Sequence, residues 1–212
     1  MFRYKSMALA AGLALLALTG TARAGTALFA GGCFWCVEAD MDKVPGVTGT
    51  VSGYAGGETE NPTYENHERG GHREVVRIEF DEDVISYKDL VAIFLRTIDV
   101  TDAGGQFYDR GHSYTTAIYA LDEAQAKAAR AAVAEAEKAL GRKIVTPVEG
   151  PARFWRAEDY HQNYYRSNER TLSRFGYVKR ADAYKRYREG SRRTASVRRL
   201  WGDEAYKGVE MH

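Results

Sequence analysis

The chain has 212 residues, 44% hydrophobic and 28% charged, a size and composition that fit one ordinary globular domain and exclude a disordered or collagen-like chain. Lys+Arg number 30 against 29 Asp+Glu, so no global charge favours nucleic acid or another polyanion. Two cysteines make no disulfide framework in a chain this long, and two thiols fall short of a structural zinc site.

Residues 1–24 open with Arg3 and Lys5, continue through an Ala- and Leu-rich run from Met7 to Leu18, and close on Ala22-Arg23-Ala24, a small-x-small pattern. This is the layout of a secretory signal peptide, with an apolar run too short to span a bilayer. Cleavage after Ala24 removes three basic residues and no acidic ones, leaving 27 against 29 and a net charge of −2. A periplasmic or secreted monomer with no stable membrane association is then expected. Export changes the meaning of Cys33 and Cys36: in an oxidising compartment a close pair is either a staple or a redox centre. A staple across so short a loop removes little chain entropy, which favours the redox role.

Thr26 to Ala30 reads as a strand, Gly31-Gly32 as a turn, and Cys33 to Val44 as a helix ended by Pro45-Gly46. Val47–Tyr54 alternates like a strand, and Glu58–Gly71 is a polar loop of a length that implies a function. Arg73–Asp81 is a strand, and Ser86 with Asp89 caps a helix carrying Leu90, Ile93, Phe94 and Ile98 on one face. A glycine-rich loop from Asp99 to Gly111 precedes a strand over Thr115–Leu121; Asp122 with Gln125 caps an Ala-rich helix ending at Gly141. Ile144–Val148 reads as a strand and Ala157–Phe175 as a helix. The order predicts an α/β (α+β) ferredoxin-like plait, mainly antiparallel, with helices on one face of a single domain over residues 25–178. Lys179 to Arg199 holds nine basic and two acidic residues. Because its aromatics are not interleaved as stacking platforms, it reads as a solvated, partly helical extension over 179–212, packed on or trailing from the domain, and not as a nucleic-acid site.

Chemistry concentrates at Gly32-Cys33-Phe34-Trp35-Cys36. A cysteine in the first turn of a helix faces unpaired N–H groups and the positive end of the dipole, which favours thiolate at Cys33. Cys36, three residues on, shares that face and is placed to act as a resolving thiol. Phe34 and Trp35 are candidates to wall a pocket for an apolar group such as a methyl, or else to anchor the core.

The string Gly32-Cys33-Phe34-Trp35-Cys36-Val37-Glu38 resembles the signature of the peptide methionine sulfoxide reductase A family. Further family-like strings follow in order: Val51 to Gly57, Asn61 to Glu65, Gly71 to Glu74, Asp102 to Gln106, and Ala157 to Gln162. The resemblance implies the same plait and reduction of the S epimer of methionine sulfoxide, free or in proteins. It matches Glu74 to the family's acid; on the Arg73–Asp81 strand Glu74 shares the more apolar face, where burial raises a carboxyl pKa. It matches Tyr64 to a hydroxyl that binds the sulfoxide oxygen, and Asp102 to an active-site aspartate. Gln106-Phe107 stands where relatives carry a second tyrosine, which leaves the two-tyrosine oxygen clamp open. No cysteine lies near the C-terminus, so Cys36 is the only candidate resolver, as in the branch with two cysteines in this string. The implied cycle needs no metal or organic cofactor, only an external dithiol from a thioredoxin-like exported partner. His67, His72, His112 and His161 lack metal-ligand spacing. The alternatives are a thioredoxin-like protein-disulfide oxidoreductase using Cys33 and Cys36, and a non-enzymatic binding protein stapled by that pair.

Overall fold

The computed structural model describes residues 23–210. The expected signal peptide therefore lies outside the described residues, apart from Arg23 and Ala24. Strand β1 (Ala24–Gly31) runs into helix α1 (Phe34–Met41) through Gly32 and Cys33. Strands β2 (Val47–Ala55) and β3 (Arg73–Asp81) follow, then helix α2 (Tyr87–Leu95). A short hairpin, β4 (Gly105–Gln106) and β5 (Asp109–Arg110), precedes strand β6 (Thr116–Tyr119) and helix α3 (Glu123–Leu140). The caps form as their sequences dictate: Ser86 accepts from the Asp89 N–H, Asp122 from the Gln125 N–H, and Gly141 takes the left-handed conformation that ends α3.

Strand β7 (Val148–Glu149) adds to the sheet in parallel beside β6, shorter than the expected Ile144–Val148. Strand β8 (Trp155–Arg156) adds beside β2 at the other edge, giving the order β7-β6-β1-β3-β2-β8. The central four strands are antiparallel, the arrangement of a ferredoxin-like plait. One face buries Phe29, Val76, Ile78, Phe80 and Ile118 with Phe34, Leu90 and Phe94 of the helices. The other buries Leu28, Val75, Ala117 and Tyr119, with Ala152 and Phe154 packed against them.

Ala157–Phe175 does not form the expected helix. It makes two 3-10 turns, Asp159–His161 and Tyr164–Arg166, and enters a hairpin of β9 (Arg170–Ser173) and β10 (Gly176–Lys179). Its polar groups bond across the molecule instead of along a helix. The Gln162 side chain brackets Ser52, accepting from its N–H at 3.0 Å and donating to its carbonyl at 3.0 Å. The Asn163 N–H donates to the buried Glu38 carboxyl at 3.0 Å, and Asn163 adopts φ +52°.

The basic run is not a solvated tail. Helices α4 (Arg180–Gly190) and α5 (Arg193–Trp201) bury Ala183, Tyr184, Arg193, Val197 and Trp201 against the domain. The Trp201 indole donates to the Ile98 carbonyl at 3.3 Å, and Val197 and Trp201 join the main apolar core.

Topology gathers the site at one end of the sheet. Gly31, the last residue of β1, pairs with Thr116, the first of β6. Continuing the β1–β3 register, in which Phe29 faces Val76, brings Glu74 opposite Gly31. Gly32 makes the turn from β1 into α1 at φ +79°, and a Cβ there would lie 2.5 Å from the Gln106 Cβ. Gly32→Ala is therefore strained in backbone and in space. We expect a loss of about 1–3 kcal/mol, a fall of roughly 2–10 °C in Tm by thermal unfolding; an unchanged Tm would show that the turn relaxes freely.

Candidate active site

The cavity beside Cys33 is small, about 60 Å³, and is lined by Cys33, Phe34, Trp35, Tyr64, Glu74, Asp109, Tyr114 and Tyr187. Both cysteines are free thiols and both are buried. Cys33 holds the N-cap position of α1, with its carbonyl accepting from the Cys36 N–H at 3.0 Å. The first N–H of the helix, on Phe34, points to Glu74 Oε2 at 2.8 Å. The helix end thus meets the carboxyl of β3, which fixes Glu74 beside Cys33.

Trp35 is held by a stack on Tyr164, with centroids 3.9 Å apart and planes at 8°. Its indole N–H donates to His161 Nδ1 at 3.1 Å. Burial pulls the His161 pKa down to about 4, so the ring stays neutral and Nδ1 remains an acceptor. Phe34 is fully buried between Tyr54 and His161. Tyr64 is set by its backbone N–H, which donates to Glu158 Oε1 at 2.9 Å; the other oxygen of Glu158 accepts from the Tyr54 hydroxyl at 3.0 Å.

Asp102 is not part of this constellation. It lies at the surface in a two-pronged ion pair with Arg110, with Asp102 Oδ1 at 2.9 Å from Arg110 Nη2, and the guanidinium holds its carboxyl below the ordinary range. The aspartate that reaches the cavity is Asp109, in the β4–β5 hairpin, and it accepts from the Tyr187 hydroxyl of α4. A second tyrosine is present after all. Phe107, at φ +56°, packs against the main apolar core, while Tyr114, two residues before β6, lines the cavity. The antiparallel β1–β6 pairing was the available signal for both, since it sets the residues before Thr116 next to those after Gly31. Tyr187 had no local signal, because it arrives on a helix from the basic extension.

Burial pushes the Glu74 carboxyl well above its ordinary 4.5; the Phe34 N–H works against the rise and Asp109 adds to it. Burial at this position therefore favours the protonated form of Glu74. The thiols do not follow the dipole expectation of a Cys33 thiolate. Burial and the hydrogen bond it donates to Cys36 push Cys33 well above 9.0. Receiving that bond pulls Cys36 down to about 7, against burial and with help from Arg193 and Arg188. The two thiols therefore titrate as one coupled pair, and the nearby guanidinium groups favour a negative charge on Cys36. Burial likewise raises Tyr64 and Tyr114, which stay as neutral hydroxyl donors. Among the described residues no group of three or more His, Cys, Asp and Glu side chains is arranged to hold a metal ion.

A buried dithiol beside a protonated carboxyl and phenolic donors, on a plait, defines a thiol-based oxidoreductase. The family profile for peptide methionine sulfoxide reductase matches residues 25–193. Peptide methionine sulfoxide reductase MsrA 2 of Rhizobium meliloti (strain 1021) is 57% identical over 183 residues, covering 86% of each chain. Peptide methionine sulfoxide reductase MsrA of Bacillus subtilis (strain 168) is 44% identical over 180 residues, 83% of this chain and 95% of the relative. Among solved structures, Mxr1 of Saccharomyces cerevisiae in reduced form superposes with TM-score 0.64 at 26% identity, over 78% of this chain and 99% of Mxr1. Methionine sulfoxide reductase A of Corynebacterium diphtheriae gives TM-score 0.61 at 32% identity, over 66% of this chain and 73% of that one. The chain belongs to the peptide methionine sulfoxide reductase family and is an oxidoreductase that reduces methionine sulfoxide. The match replaces the thioredoxin-like and stapled-protein alternatives.

The buried proton has a thermodynamic consequence. The folded state binds it more tightly than the unfolded chain, so the contribution of Glu74 to stability is fully present below about pH 4.5 and declines as pH rises toward its folded value. Glu74→Gln removes that decline while keeping an oxygen for the Phe34 N–H. Thermal unfolding from about pH 5 to about pH 8 should show the variant gaining on the parent as pH rises; a constant difference would place an ordinary carboxylate at Glu74.

Proposed function

We propose that the protein reduces methionine-S-sulfoxide, free or in proteins, with Cys33 as nucleophile, Glu74 as proton donor and Cys36 as resolving thiol. The observation that supports this reading is the buried Glu74, its carboxyl pushed toward the protonated form, lining one cavity with Cys33, Phe34 and Trp35. An apolar wall suits the S-methyl group, and the neutral Glu74, Tyr64 and Tyr114 are the hydroxyl-bearing groups that suit a sulfoxide oxygen. Asp109 takes the place expected for Asp102 and orients Tyr187 at the mouth.

The proton on Cys33 passes to Cys36 along their hydrogen bond as the Cys33 sulfur attacks the sulfoxide sulfur. Glu74 donates its proton to the oxygen. The sulfur–oxygen bond breaks with transfer of oxygen to Cys33, releasing methionine and leaving a Cys33 sulfenic acid, so that the thiol loses the two electrons the sulfoxide gains. Cys36 then attacks the sulfenic sulfur, water leaves, and the Cys33–Cys36 disulfide forms. An external dithiol protein of the thioredoxin type returns the pair to thiols, and no metal or organic cofactor enters the cycle. Residues 1–24 direct export, so the reductase repairs oxidised methionines in exported proteins and draws its electrons from a donor on that side of the membrane.

The test is a single turnover without added reductant. The reduced protein should release one equivalent of methionine from the S epimer, none from the R epimer, and lose two thiols. Cys36→Ser should release the same methionine and stop at a sulfenic acid trapped by dimedone, whereas Cys33→Ser should release none. Glu74→Gln should slow release by roughly 10²–10⁴. Release by Cys33→Ser, or full speed in Glu74→Gln, would overturn the assignment.

A further inference from the structure

Next to the dithiol, along the Cys36–Asp40 turn of α1, lies a buried group of charges that the cycle above does not use. Cys36 and Asp40 are one turn apart on α1, both buried. Asp40 Oδ1 lies 2.9 Å from Arg188 Nη1, and Asp40 Oδ2 lies 3.8 Å from Arg193 Nε. Arg193 is 1% exposed; its Nη1 donates to the Gly31 carbonyl at 3.0 Å, immediately before the Gly32-Cys33 turn. Arg193 Nε and Nη2 have no hydrogen-bond partner among the described residues. Two guanidinium groups thus face one carboxylate, which leaves one uncompensated positive charge inside the protein. Such an excess is costly unless an anion answers it.

The ionisable groups around that excess are few. From α4, the Tyr184 hydroxyl accepts from Arg188 Nη1 at 2.9 Å, and Tyr184 packs in one buried cluster with Cys36 and Cys33. The Tyr206 hydroxyl accepts from Arg188 Nη2 at 3.2 Å. Burial raises both tyrosines, so both are neutral. Glu74 and Tyr187 face the pair from the cavity side and are neutral as well. Asp109, also on that side, feels Arg193 and Arg174 but is bonded to Tyr187, and burial raises its carboxyl. Cys36 is the acid on which Arg193 and Arg188 both act. Conversely, burial works against the Arg193 charge, and Cys36 with Asp40 more than offsets it.

We propose that Arg193 and Arg188 are the counter-charge for a Cys36 thiolate, so that the C-terminal extension acts as a built-in activator of the resolving thiol. The inference rests on the assignment of Cys36 as resolver. In the step concerned, Cys36 gives up the proton it took from Cys33, a bond forms between the Cys36 and Cys33 sulfurs, the sulfur–oxygen bond of the Cys33 sulfenic acid breaks, and the departing hydroxide takes that proton and leaves as water. No electrons enter from outside. A thiolate held ready beside fixed guanidinium charges performs that attack at neutral pH, where an ordinary buried thiol would be protonated. The two arginines touch neither substrate nor the reacting oxygen; they are positioning residues.

Two measurements test this. The first is the thiolate absorbance of the reduced full-length mature protein titrated with pH in the absence of substrate. In Arg193→Met the first thiolate ionisation should move up by about one pH unit, a tenfold loss of thiolate at neutral pH, with Arg193→Lys retaining most of the parent value. The second is disulfide closure after a single turnover, which should slow about tenfold near pH 7 in Arg193→Met and recover at higher pH. Arg188→Met, read the same way, keeps the test decisive if Arg193→Met does not fold. Titration and closure profiles matching the parent in a folded methionine variant would overturn the proposal. Loss of methionine release in the parent protein would instead overturn the reductase assignment, because the substrate-free titration is read independently of it.

Discussion

The site depends on one hydrogen bond, from the Phe34 N–H at the start of α1 to the Glu74 carboxyl at the start of β3, 2.8 Å long across 40 residues of sequence. It joins the two elements that carry the chemistry. A helix begins with N–H groups that have no partner inside the helix, and leaving one buried and unmatched costs about 1–3 kcal/mol. Here the chain meets that requirement with a carboxyl group. The same contact that anchors the helix therefore also brings an acid to the Cys33 cavity, where burial favours the protonated carboxyl even though the N–H pulls the other way. Structural and chemical demands coincide on one side chain.

From that bond the charge layout follows. On the cavity side of α1, burial pushes Glu74, Tyr64, Tyr114 and Tyr187 toward their neutral forms. On the opposite side Arg188 and Arg193 outnumber Asp40. The first turn of the helix thus carries Cys33 at the cavity and Cys36 one turn before Asp40, the carboxylate that Arg188 and Arg193 face. Proton donation to a sulfoxide and stabilisation of a thiolate are opposing electrostatic tasks. Three residues of helix are enough to keep them apart.

Much of this was readable in the chain because it is local. Ser86, Asp122 and Gly141 announce their helix ends by chemistry confined to a few residues, β2 and β3 show strand-like alternation, and β1 is a short apolar segment running into Gly31-Gly32. The Cys33–Cys36 string and the Glu74 face of β3 follow from spacing. What was misread is non-local. Ala157–Phe175 has apolar residues that mimic a helical pattern, but Gln162 and Asn163 satisfy Ser52 and Glu38 far away in sequence. In the loop before β6, register is set by a two-residue hairpin with Phe107 in the left-handed region, so Asp102 pairs with Arg110 at the surface and Asp109 with Tyr114 enters the cavity. Arg193 was hidden in a charge run whose members differ completely in burial, from exposed Arg192 to Arg193 at 1%. Periodicity cannot reveal which cation of such a run finds a buried carbonyl and carboxylate.

The central claim is that Glu74 is a neutral acid in the resting protein, and the direct measurement is vibrational. The infrared difference spectrum between the reduced parent protein and Glu74→Gln, recorded at neutral pH, should contain a protonated-carboxyl stretch that shifts on exchange into heavy water; taking the difference removes the contribution of Glu38, whose carboxyl is itself raised to about 7. A difference spectrum showing only carboxylate bands lost with Glu74 would contradict the account, because the group beside Cys33 would then have no proton to give.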